Sequence, residues 1–266
     1  MTLFCLLDSC VIYPRILCDT LLRVAEDALY QVYFSQEILD GATRNLIRNG
    51  RFDTAKASHF QSCLLNAFPE ALVEVPAGLA AVMTNHLGDR HVLAAAVACK
   101  AEVIVTFNLK DFLPEALAPW GIEAQHPDVF LSRLCESEGV ERLAQIIQKQ
   151  AEDRKRPETT VLELLSKLEK QVPKFVYQVT TDLYGQEVEA IAKEIIEKMT
   201  KPAGSSARWY GGQIYDLCLN NGSLTITAKI DGRGEILSAQ AGNGQGCLSP
   251  DDVILFQKMK EALNTA

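Results

Sequence analysis

The sequence lacks an apolar run long enough to cross a membrane. No stretch of the 266 residues approaches the roughly 20 apolar residues that a membrane helix needs. The N-terminus also lacks the positively charged region that begins a signal peptide. We therefore expect a protein that stays in the cytoplasm and makes no contact with a membrane.

Histidine and closely spaced cysteine pairs are also scarce. The chain has four histidines, and the closest pair, His86 and His91, has neither the neighbours nor the spacing of a zinc site. None of the eight cysteines forms a Cys-x-x-Cys pair, and most lie in apolar periodic segments. Reduced, mostly buried thiols are expected rather than disulfides, and a structural zinc is not expected.

Positive charge is in deficit. The chain has 26 Lys and Arg against 34 Asp and Glu, a net charge of -8. This disfavours a nucleic-acid binder that relies on a broad basic face, but it allows a compact acidic active site. Nucleic acid would then be held by local patches such as Arg44, Arg48 and Arg51, although a solvated helix face explains these arginines equally well.

What the sequence does have is a set of short apolar runs that end in oxygen-bearing side chains. They are Leu3 to Leu7 with Asp8, Gln31 to Phe34 with Ser35, and Val103 to Val105 with Thr106, Asn108 and Asp111. Such runs are typical of buried parallel strands, and ligands collect outside the carboxyl ends of these strands. Because Asp89 begins the helical segment before the last run, the three acids are expected to meet at one sheet edge, in a site for a hard cation.

The pattern along the chain predicts three parts. Residues 1–130 alternate strand and helix, as a parallel α/β sheet requires, and residues 131–179 are helical and charged. In the first part, Ser35 is the predicted N-cap of a helix whose apolar stripe is Ile38, Leu39, Ala42, Leu46 and Ile47, and short strands are predicted over 71–75 and 121–124. For residues 180–266 the pattern predicts a small α+β unit, with a helix, antiparallel strands over 213–219, 223–230 and 235–239, turns at 220–222 and 231–234, and a last helix that begins at Ser249 and Pro250.

The three acids have a catalytic interpretation and a structural one. Carboxylates bind Mg²⁺ or Mn²⁺, and two such ions can activate water and stabilise the leaving oxygen in phosphodiester cleavage. Taken singly, each acid is better explained structurally, Asp89 as a helix cap and Asp8 and Asp111 as turn residues. Their joint placement favours the metal site.

The residues around the acids resemble those of a known family. The segments are LLDSCVIYP around Asp8, SQEIL from Ser35, RNL from Arg44, DRHVLAAA from Asp89 and VTFNLKDF from Val105. They resemble the PIN-domain family of metal-dependent ribonucleases, many of which are toxins of toxin-antitoxin pairs. The resemblance extends to about residue 178 and does not reach the C-terminal unit.

That resemblance implies a three-layer α/β/α fold and an endoribonuclease that cleaves RNA by metal-activated water. The metal ligands would be Asp8, Asp89 and Asp111, with Mg²⁺ or Mn²⁺ as the cofactor. Supporting polar residues would be Ser9, Ser35, Thr106 and Asn108, and residues for RNA binding would be Arg44, Arg48 and Arg90. The partners implied are RNA, an antitoxin protein and a second copy of the chain in a homodimer.

One position departs from the family pattern. Many members have a glutamate six residues after the serine or threonine that begins the second helix, and here that position is Gly41. Glu37, one turn earlier on the same face, and Asp40, adjacent but rotated by about 100°, are the candidate replacements. We expect an active enzyme, with impaired activity left open. The alternatives are a binding protein without nuclease activity and a DNA-directed nuclease.

Overall fold

The computed structural model describes residues 2–155, 157–200, 214–219, 224–230, 236–242 and 247–265. The chain divides into two compact units, Met1–Glu138 and Gly139–Ala266. Among the described residues, no helix is long and apolar enough to cross a membrane.

The first unit is an α/β domain with a parallel sheet. In chain order its elements are β1 (Phe4–Leu7), α1 (Ser9–Ile12), α2 (Arg15–Glu26), β2 (Gln31–Ser35), α3 (Gln36–Arg48), α4 (Thr54–Ala67), β3 (Leu72–Val73), α5 (Arg90–Ala98), β4 (Val103–Val105), α6 (Pro114–Leu117), β5 (Glu123–Gln125) and α7 (Pro127–Glu138). Short 3₁₀ turns lie at Leu79–Val82, Leu87–Asp89, Leu109–Asp111 and Ala118–Trp120. This confirms the three-layer α/β/α fold of PIN type that the sequence predicted.

The strand order β3-β2-β1-β4-β5 places β1 at the centre of the sheet. Strands β1 and β4 pair in parallel, with Leu7 opposite Val105. The backbone N–H of Asp8 continues this pairing by donating to the carbonyl of Val105 at 3.1 Å. The ends of two strands that are about 100 residues apart in sequence therefore lie side by side, as the apolar runs predicted.

Helix α3 shows how the local sequence builds the layer next to this edge. The hydroxyl of Ser35 accepts a hydrogen bond from the backbone N–H of Ile38 at 3.3 Å, which confirms the predicted N-cap. Leu39, Ala42 and Leu46 are buried as predicted. Ile47, which was expected on the same stripe, is 40% exposed because it lies at the side of the buried face.

The closing strand of the sheet differs from its prediction. The sequence predicted a strand over 121–124, whereas β5 is Glu123–Gln125. Gly121 adopts a left-handed φ of +67° and ends the 3₁₀ turn Ala118–Trp120, so the extended strand begins only after it. The predicted strand over 71–75 is likewise shorter, at Leu72–Val73.

The second unit consists of helices and an antiparallel sheet. Its elements are α8 (Val140–Asp153), α9 (Val161–Glu169), α10 (Pro173–Thr200), β6 (Ile214–Leu219), β7 (Leu224–Ile230), β8 (Ile236–Gly242) and α11 (Pro250–Thr265). The strand order is β6-β7-β8 and both pairings are antiparallel, which confirms the three predicted strands. The turns predicted at 220–222 and 231–234 lie outside the described residues, and α10 continues through residue 180.

The start of α11 also follows its prediction. The hydroxyl of Ser249 accepts from the backbone N–H of Asp252 at 3.2 Å, and the carboxylate of Asp252 accepts from the backbone N–H of Ser249 at 2.9 Å. This reciprocal pair is a capping box, which satisfies two backbone donors at the helix start. Pro250 occupies the first helical position, where a missing N–H costs nothing.

Tyr30 provides a test of the core of the first unit. Its buried hydroxyl donates to the carbonyl of Leu21 at 2.8 Å, and its ring packs edge-on against Phe130 of α7. Replacing Tyr30 with Phe should lower the free energy of unfolding by about 1 kcal/mol, since it removes one buried hydrogen bond. Urea denaturation measures this. Tyr33→Phe is the control, because the described residues give the Tyr33 hydroxyl no partner, and an equal loss in both variants would contradict the assignment.

Candidate metal centre

Asp8 is a buried carboxylate held by neutral donors. It follows β1 directly and is 2% exposed. Its Oδ2 accepts hydrogen bonds from the hydroxyl of Thr106 at 2.7 Å and from the thiol of Cys10 at 3.1 Å. Its Oδ1 accepts from the hydroxyl of Ser9 at 3.2 Å. These contacts fix the direction of the carboxylate without neutralising its charge.

The donors around Asp8 are themselves oriented by the backbone after β4. The hydroxyl of Thr106 accepts from the backbone N–H of Asn108 at 3.0 Å, so its proton is free to point at Asp8. The sulfur of Cys10 accepts from the backbone N–H of Phe107 at 3.2 Å. Burial, together with the negative charge of Asp8, raises the pKa of Cys10 to about 12, so the thiol remains a donor. Sequence reasoning missed the part played by Cys10.

Asp89 and Asp111 form a second group with His86. One ligand atom from each of these three side chains lies within 4.8 Å of the others. Nδ1 of His86 is 3.5 Å from Oδ2 of Asp89. Asp89 precedes α5, but its side chain makes no capping hydrogen bond, so its carboxylate remains directed toward this group. Asp8 lies outside the 4.8 Å set.

The three carboxylates are close enough to influence one another. Partial burial and then the negative charges of Asp8 and Asp111 raise the pKa of Asp89, while His91 and His86 oppose the shift. In the described part of the chain, no lysine or arginine forms an ion pair with any of these three acids. Hydrogen bonds, His86 and His91 moderate the negative charge of this edge.

The donor set fits a hard divalent cation. Carboxylate oxygens are the ligands that Mg²⁺ and Mn²⁺ prefer, and these ions keep several waters when they bind to proteins. Asp89 and Asp111 are partly exposed, so they are accessible to a hydrated ion. Asp8, which is buried and oriented, adds charge close by.

Gly41 faces this site. A Cβ built at Gly41 would lie 3.4 Å from Cβ of Ser9 and 3.6 Å from its hydroxyl oxygen. Ser9 in turn donates to Asp8. Position 41 is thus the point from which a longer side chain of α3 would approach Asp8, and here it carries no side chain.

The two candidate replacements on α3 lie elsewhere. Asp40 is exposed, and its Oδ1 accepts from Nε2 of Gln36 at 2.8 Å and from Nε2 of Gln61 at 3.0 Å, which holds it between α3 and α4. Glu37 is exposed in the first turn of α3. Neither belongs to the group of close ligand atoms. A catalytic role for Glu37 or Asp40 stays a prediction.

The arginines expected to bind RNA occupy two places. Arg44 and Arg48 are exposed on α3. Arg90, at the start of α5, is half-buried and its Nε donates to the backbone carbonyl of Asn85 at 3.4 Å. Their contact with RNA stays a prediction.

A cleft of about 410 Å³ lies beside the acids. Asp111, His86 and Asn85 form part of its wall, together with Lys110, Leu113 and Glu115. Its wall combines an acid, a base and apolar surface, as ligand-binding clefts commonly do.

Comparison with known proteins finds similarity in the helical part of the chain. Residues 127–181 match the family described as VapC50 C-terminal domain. A protein of Mycobacterium tuberculosis (strain ATCC 25618 / H37Rv) named "Putative ribonuclease VapC50" is 64% identical over 53 residues, which are 20% of this chain. The aligned part spans 31% of the length of that relative. The family match ends at residue 181, close to the limit near residue 178 expected from the sequence, and it does not include the acids.

The raised pKa of Asp89 gives a test of charge crowding at this site. A carboxyl whose pKa is higher in the folded than in the unfolded protein destabilises the fold when it is ionised. Asp89→Asn should therefore raise the melting temperature at pH 7 in EDTA by about 2 °C. The difference should shrink as the pH falls through the folded pKa of Asp89, because the wild-type group is then protonated too.

Differential scanning calorimetry over a pH series measures this effect. Glu26→Gln, a change at an exposed carboxyl at the end of α2, is the matched control and should leave the melting temperature nearly unchanged. An Asp89→Asn variant that is less stable than wild type at pH 7 would show that the carboxylates do not repel one another.

Proposed function

We propose that the chain is a metal-dependent endoribonuclease of the PIN-domain family. The observation that carries the proposal is the group of Asp8, Asp89 and Asp111 at the carboxyl edge of the parallel sheet, with no lysine or arginine paired to them in the described residues. The name of the relative, "Putative ribonuclease VapC50", supports the same activity.

The side chains at this edge have separable tasks. Asp89 and Asp111 would hold Mg²⁺ or Mn²⁺, and Asp8 would add negative charge from its fixed position. When bound, the ion supplies charge stabilisation to the phosphodiester and activates water for attack on it. Thr106 and Cys10 keep the carboxylate of Asp8 oriented before any substrate arrives, so no reorientation is needed during the reaction.

RNA is a polyanion, and as a substrate it must bind to a chain whose net charge is -8. A divalent cation at the acids reduces the local repulsion of phosphate groups. The exposed guanidinium groups of Arg44 and Arg48 on α3 offer local positive charge, as the sequence analysis expected. We infer that RNA is held by these local contacts and by the ion.

A role as the toxin of a toxin-antitoxin pair is the finer part of the proposal. The match of residues 127–181 to the VapC50 C-terminal domain supports it. An antitoxin protein would then block access to Asp89 and Asp111. Assembly into a homodimer and a cytoplasmic location are further expectations of the same assignment.

A second function follows from Gly41. Because position 41 faces Ser9 and has no side chain, the site has one carboxylate fewer than many PIN proteins. A chain that binds RNA or a protein through this fold, with little or no cleavage, is the alternative. Measured metal affinity and cleavage separate the two functions.

Asp8 provides the first test of the proposed activity. Asp8→Asn keeps the hydrogen-bond acceptor for Thr106 but removes the charge. We expect Mn²⁺-dependent cleavage of single-stranded RNA to fall by about 100-fold or more, since several kcal/mol of charge stabilisation depend on the ion. Glu26→Gln is the control and should cleave like wild type. Unchanged cleavage by Asp8→Asn would refute the catalytic assignment, and a parallel assay on DNA tests the alternative of a DNA-directed nuclease.

Position 41 provides the second test. Gly41→Glu places a carboxylate on α3 beside Ser9, where a Cβ meets its neighbours at 3.4 Å. We expect Mn²⁺ affinity, measured by calorimetric titration, to rise by about tenfold, because added ligand charge strengthens cation binding. Gly41→Ala is the matched control: like Gly41→Glu it gains helix propensity over glycine, but it adds no carboxylate. Equal metal affinity in both variants would show that position 41 does not face the cation.

A further inference from the structure

We propose that His86 supplies an imidazole nitrogen ligand beside Asp89 and Asp111, and that the site therefore prefers a divalent transition-metal ion to Mg²⁺. This inference rests on the proposed function, because it names the class of cation for the same site. It adds a residue that does not belong to the carboxylate set expected from the sequence.

The first support is the geometry of the three side chains. A nitrogen of His86 and a carboxylate oxygen from each of Asp89 and Asp111 lie within 4.8 Å of one another. Nδ1 of His86 is 3.5 Å from Oδ2 of Asp89, so the nitrogen and the oxygen are placed to face one ion. The His86 side chain is 64% exposed, which leaves it free to adjust to a cation.

The second support is the way in which the backbone holds His86. Its N–H donates to the carbonyl of Asp111 at 3.3 Å, and its carbonyl accepts from the N–H of Asp89 at 2.9 Å. The imidazole lies over Gly88, where an added Cβ would be 3.4 Å from Nδ1 and 3.5 Å from Cε1. These two hydrogen bonds thus place His86 between the two acids.

The third support comes from the neighbouring Asn85. This residue is 6% exposed, and neither its amide nitrogen nor its amide oxygen has a hydrogen-bond partner among the described residues. Buried amides are normally paired, so an unpaired one indicates a missing polar partner. Asn85 lines the same cleft as His86 and Asp111, where a hydrated cation would provide that partner.

The chemistry of the ligands then selects the ion. Mg²⁺ demands oxygen ligands in near-ideal octahedral geometry and dehydrates reluctantly. Transition-metal ions accept imidazole nitrogen, and their affinity for a given site rises from Mn²⁺ to Co²⁺. An imidazole nitrogen beside two carboxylates therefore favours Mn²⁺, and Co²⁺ still more, over Mg²⁺.

The test is calorimetric titration of the full chain with MnCl₂, CoCl₂ and MgCl₂. We expect His86→Ala to weaken Mn²⁺ binding by about tenfold and Co²⁺ binding by more, while Mg²⁺ binding changes by less than about twofold. Pulsed electron paramagnetic resonance of bound Mn²⁺ should show coupling to an imidazole ¹⁴N in wild type and none in His86→Ala.

The control is His59→Ala, since His59 is an exposed histidine of α4 that contacts the thiol of Cys63. It should bind all three ions like wild type. If Asp89→Asn abolishes Mn²⁺ binding while His86→Ala leaves both the affinity and the ¹⁴N coupling unchanged, His86 is not a ligand, and only the proposed function survives. If wild type binds none of the three ions, both the inference and the proposed function are wrong.

Discussion

Repulsion between carboxylates at the edge of the parallel sheet is the constraint on which the rest of the site depends. Pairing of β1 with β4 brings Asp8 against the residues that follow Val105, although about 100 residues separate them in sequence. Neutral hydrogen-bond donors hold the buried carboxylate of Asp8, so the fold tolerates its charge. Partial burial and the charges of Asp8 and Asp111 raise the pKa of Asp89. Like charges held this closely in a partly buried place are typical of functional sites rather than of structural ones.

The fold and the comparison with known proteins concern different parts of the chain. The α/β/α sheet and the acids lie in the first 125 residues. The match to the VapC50 C-terminal domain covers residues 127–181, which include α7 to α9 and the start of α10. The departure at Gly41 falls in the first part. It alters the number of carboxylates without altering the sheet, so the fold and the chemistry of this chain vary separately.

Much of the fold could be predicted from the sequence because it depends on local signals. Apolar runs identified the strands, and the residues after them identified Asp8 and Asp111. Ser35 and Ser249 were recognised as helix starts. His86 was not recognised as part of the site, because a loop and a backbone hydrogen bond to Asp111 bring it there. Residues that only the folded chain brings together, with no regular spacing in the sequence, cannot be found from periodicity. His86-x-x-Asp89 was the one local hint.

The central claim is that this edge of the sheet binds a divalent cation between Asp89, Asp111 and His86. Anomalous X-ray diffraction from crystals of the chain grown with Mn²⁺ tests it most directly, because the anomalous signal locates the ion without reference to activity. The account predicts one strong peak within coordination distance of a carboxylate oxygen of each aspartate and of an imidazole nitrogen of His86. If crystals grown at saturating Mn²⁺ show no anomalous peak at this edge, or show peaks only elsewhere, the claim is wrong.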